Sequence, residues 1–87
     1  SARYTPEQYE QGAQSKLEQA NQLELQADGM DKRADALEND DKYAEAQKMR
    51  EQARGLREDA AFHKGTAKRL GDMAKHVRDN PDPTAEQ

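Results

Sequence analysis

Cysteine and tryptophan are absent from this 87-residue chain, phenylalanine occurs once and tyrosine three times. Without cysteine there is neither a disulfide framework nor a thiolate metal site. With so few large apolar side chains there is no thick globular core to build. No apolar run approaches the ~18 residues of a membrane-spanning helix, and no apolar segment follows a basic start as it would in a secretory signal. The chain therefore reads as a cytoplasmic protein that engages no membrane.

Charged residues make up 37% of the chain and apolar residues 32%. Such a balance often leaves a chain disordered, because little apolar surface is available to offset chain entropy. Here, however, the apolar residues are periodic, which disorder would not require. The charge is also unevenly placed. Residues 1–41 hold four basic and ten acidic side chains, net −6, whereas residues 42–87 hold ten basic and eight acidic, net +2. Two halves of opposite sign attract when they lie side by side.

The first helix announces itself. Thr5 suits an N-cap and Pro6 the first helical position, where a missing N–H costs nothing. Gln8 follows Thr5 at capping-box spacing, and Tyr4 and Tyr9 stand where a hydrophobic staple places its pair. From there Tyr9, Ala13, Lys16, Ala20, Leu23, Ala27, Met30, Ala34 and Leu37 recur in steps of three and four. Ala46, Met49, Ala53, Leu56, Ala60, His63, Ala67, Leu70, Ala74 and Val77 repeat the pattern. This spacing keeps one stripe on one face of a helix; only Lys16 and His63 are out of type.

The two stripes are out of phase, so the helix breaks between Leu37 and Ala46. Asn39-Asp40-Asp41 is the expected place, Asn serving as a left-handed helix end and Asp as the next cap. The second helix should stop near Asp79, because Pro81 follows Asn80. The expectation is an all-α chain: a lead-in over 1–5, a long antiparallel helical hairpin over 6–79 (helix 6–38, turn 39–42, helix 43–79), and a flexible, linker-like tail over 80–87. Its seam is a two-helix coiled coil of Leu23, Ala27, Met30, Ala34, Leu37, Ala46, Met49, Ala53, Leu56, Ala60 and Leu70. Folding near residue 41 sets Leu37 against Ala46, Ala34 against Met49 and Met30 against Ala53, so that large meets small in every layer. A register shifted by about three residues would set Met30 against Met49. Gly65, inside the second helix, offers one place where that helix could break.

Catalytic chemistry finds no footing: there is no cysteine nucleophile, no Gly-rich phosphate loop and no Gly-x-Ser-x-Gly, and a two-helix rod has no water-excluding pocket. No cofactor is expected. No metal is expected either, since Glu-x-x-His is absent and Asn39-Asp40-Asp41 lacks the ligand alternation of a calcium loop. His63 reads as a polar seam residue that sets register, with a pH-sensitive layer as the alternative.

Two surfaces remain. Lys64, Lys68, Arg69, Lys75 and Arg78 form the candidate nucleic-acid face, but no stacking aromatic accompanies them and Glu7, Glu10 and Glu18 of the first helix should neutralise them. Leu17, Leu25 and Phe62 lie off the seam and form the candidate partner interface, since two thin hairpins gain stability by pairing into a four-helix bundle. The alternating small–large seam resembles that of Rop-type four-helix bundles in pattern; no stretch matches residue by residue, so no function transfers. The expected role is a structural or protein–protein interaction module that self-associates or docks on a helical partner protein. A small regulatory nucleic-acid-binding bundle is the second expectation. A hairpin substrate or effector of a bacterial secretion system is the third, although the Trp-x-Gly turn such hairpins carry is missing.

Overall fold

The computed structural model describes residues 3–81. They form two helices, α1 (Pro6–Asn39) and α2 (Tyr43–Asp79), that run side by side as an extended hairpin. The expected tail lies, from position 82 on, outside the described residues. At 1.5 Å per residue the helices are about 51 and 55 Å long. The Cα radius of gyration is 19.6 Å, where a compact chain of this length would measure about 12 Å. The molecule is a rod, and its interior is a line.

The start of α1 is fastened by the full capping box. Thr5 Oγ1 accepts from the Gln8 N–H (3.1 Å), and Gln8 Oε1 accepts from the Thr5 N–H (2.8 Å). The Tyr4 and Tyr9 rings meet edge to face at 5.7 Å, closing the staple. At its other end α1 runs through Asn39, one residue beyond the expected stop and within the ordinary fraying of a helix end.

The turn is built differently from the expectation. Asp41, not Asn39, takes the left-handed conformation, with φ of 61°. The Lys42 N–H donates to Leu37 O (2.8 Å) and the Asp41 N–H to Glu38 O (2.9 Å), the paired bonds of a Schellman ending. These bonds require the left-handed residue one position past the cap, which is Asp41. Nor does an aspartate cap α2: Lys42 stands at its N-cap without a side-chain bond. Asp41 Oδ1 instead accepts from the Tyr43 hydroxyl at 2.8 Å.

The α2 helix is continuous across Gly65, so the hairpin has two helices and no third among the described residues. Two cross-helix approaches set its register. Arg3 Nη2 donates to Asn80 O at 3.2 Å, and Leu70 lies against the backbone at Gly12. Facing residues therefore carry numbers that add to 82 or 83, which is the large-against-small pairing and not the shifted one.

Among the described residues the buried apolar side chains are Ala20, Ala27 and Ala34 on α1 and Ala46, Ala53, Ala60, Ala67 and Ala74 on α2. All are alanines, seven residues apart. The larger seam residues Leu23, Met30, Leu37, Met49, Leu56, Leu70 and Val77 are only half-buried. Small side chains let the two backbones close on each other along the alanine line. The bulky residues then cannot fit between the helices and lie along the edge of the contact.

Candidate functional site

Which edge they occupy is set by helix geometry. A residue three after an alanine lies about 60° to one side of it, and a residue four after lies about 40° to the other. The bulky line stands at the first position on both helices. The second position holds charge: Glu10, Glu24, Asp31 and Glu38 on α1, and Arg50, Arg57, Lys64 and Arg78 on α2.

These charges meet across the seam. Arg50 binds Asp35 (2.7 Å) and Glu38 (2.9 Å), with Asp31 at 3.8 Å. Arg57 binds Asp31 (2.7 Å) and Asp28 (2.9 Å). Lys64 pairs with Glu24, and Arg78 with Glu10 and, more distantly, Glu7. In this ladder α1 supplies only acids and α2 only bases. Its one missing rung is the Leu17/Gly71 level, where both partners are uncharged.

The hydrogen bond from Arg78 holds the Glu10 carboxyl below the ordinary carboxylate range, against a smaller opposing effect of desolvation. Hydrogen bonds to Asp35 and Glu38 raise Arg50, and those to Asp31 and Asp28 raise Arg57. Solvent screens exposed pairs such as these, so the ladder selects register and orientation more than it stabilises. It also occupies the acidic residues that helical spacing brings together. Among the described residues no cluster of three or more His, Asp or Glu is arranged to hold a metal.

The opposite edge carries no ladder, and open grooves run along it. One, about 610 Å³, is lined by Ser15, Glu18, Gln19, Gln22 and Leu23 of α1 and His63 of α2. Another, about 360 Å³, is lined by Gln22, Leu25, Gln26, Gly29, Met30 and Arg33. A third, about 310 Å³, joins Arg33, Ala36, Leu37 and Asp40 to Met49 across the seam. No ladder residue lines any of them. The hairpin thus has a closed, charged face and an open face with the bulky line along its floor.

The three off-seam apolar residues are exposed and do not form one stripe. Leu17 occupies the missing rung on the charged face. Leu25, 64% exposed, stands at the outer rim of the second groove. Phe62 is 67% exposed and stands two residues after seam Ala60, on the outer side of α2, where its ring meets the His63 ring edge-on at 6.1 Å.

The basic stretch is also divided. Lys64 and Arg78 belong to the ladder, Arg69 donates to Thr66 Oγ1, and Lys68 and Lys75, each one residue after a seam alanine, lie exposed on the flank of α2 beside the ladder. Glu18 lines the groove and takes no part in the ladder. His63 is half-buried on the seam, and its Nδ1 is buried with no hydrogen-bond partner.

The ladder and the open face were not singled out from the sequence, although both are carried by one signal: the bases Arg50, Arg57, Lys64 and Arg78 all stand four residues after a seam alanine. Comparison with protein-family models, with curated proteins and with solved structures finds no match for this chain. Among the described residues no helix is long and apolar enough to cross a membrane.

Proposed function

We propose that this chain is a non-catalytic structural or protein–protein interaction module, a rigid two-helix coiled coil that offers its open face to a helical partner. One observation carries the reading: everything larger than alanine along the seam is left half-exposed, and all of it on the side away from the ion pairs. A stripe of Leu, Met and Val with grooves between is the surface into which the apolar face of another helix packs. The hairpin supplies rigidity through the capping box at the start of α1 and the ladder, which favours one register.

Nucleic-acid binding is the competing reading. It is disfavoured because two of its five cations, Lys64 and Arg78, are already neutralised across the seam, and phosphate contacts need free cations. The test is fluorescence anisotropy with labelled duplex DNA and RNA at low salt, followed by a salt titration. The module reading expects no binding. Affinity that falls steeply as salt rises, and is abolished by Lys68→Glu with Lys75→Glu, would overturn it.

A further inference from the structure

We draw no further inference here: the strongest candidate, the run of open grooves along the seam edge lined by Gln22, Met30 and Met49, belongs to the docking face already described, and nothing in the structure shows what covers it.

Discussion

A Cβ placed on Gly12 would stand 3.3 Å from Leu70 Cδ1, whereas one placed on Gly71 would meet nothing within 4 Å. Leu70 therefore packs onto bare backbone of the opposite helix, and Gly12 is the glycine that makes room for it. Glycine inside a helix otherwise costs up to about 1 kcal/mol relative to alanine. Gly71→Ala should stabilise the hairpin by about that much in chemical denaturation. Gly12→Ala should gain less or lose, because Leu70 must shift by a few tenths of an ångström. Equal gains at both positions would show that the two helices do not close here.

The ladder is graded, from three acids around Arg50 to one at Lys64. Arg50→Ala should therefore destabilise more than Lys64→Ala, since it leaves three carboxylates repelling one another. For exposed pairs both losses should be small, because solvent screens them. Both effects should shrink as salt is raised. Denaturation midpoints at low and high salt decide it; an equal loss for the two variants, independent of salt, would mean that the ion pairs are incidental.

Glu10 ionises more readily in the folded hairpin than in the unfolded chain, because Arg78 donates to its carboxylate. A lowered folded pKa contributes stability that is present above the unfolded value, about 4.3, and is lost as pH falls through the lowered folded one. An NMR titration should place the Glu10 inflection below that of an ordinary glutamate in the wild type. Arg78→Gln should return it to the ordinary range. An inflection that the substitution does not move would show that the pair does not form in solution.

His63 leaves Nδ1 buried without a partner. An unsatisfied buried polar atom costs about 1–3 kcal/mol. His63→Leu, which restores the type of its neighbours Leu56 and Leu70, should raise the unfolding free energy by an amount in that range at neutral pH. A destabilised variant would show that the histidine makes a compensating interaction.

Much of this architecture was legible in the chain, and the reason is locality. Thr5, Pro6 and Gln8 specify a helix start through bonds that span three residues. The alanines at steps of seven specify a stripe through the pitch of the helix itself. The break of phase between Leu37 and Ala46 locates a reversal from the two stripes alone, whatever the geometry of the turn. That geometry was harder to read. Asp41 is left-handed because two backbone bonds at the end of α1 require it there, whereas residue type alone favoured Asn39.

The amino-acid sequence by itself determined the two rods, the capping box at the start of the first, the alanine line and the sign of charge on each half. Only the tertiary structure decided which acid meets which base, that the bulky residues lie along one edge and not between the helices, and that Leu17 and Phe62 stand on different faces. Those facts depend on how far one helix slides and turns against the other, a relation between residues as far apart as 68 and 77 positions. Periodicity along either helix is unchanged by that slide, so it carries no record of it. The fit of alanine against backbone, with charge meeting charge beside it, selects the one arrangement.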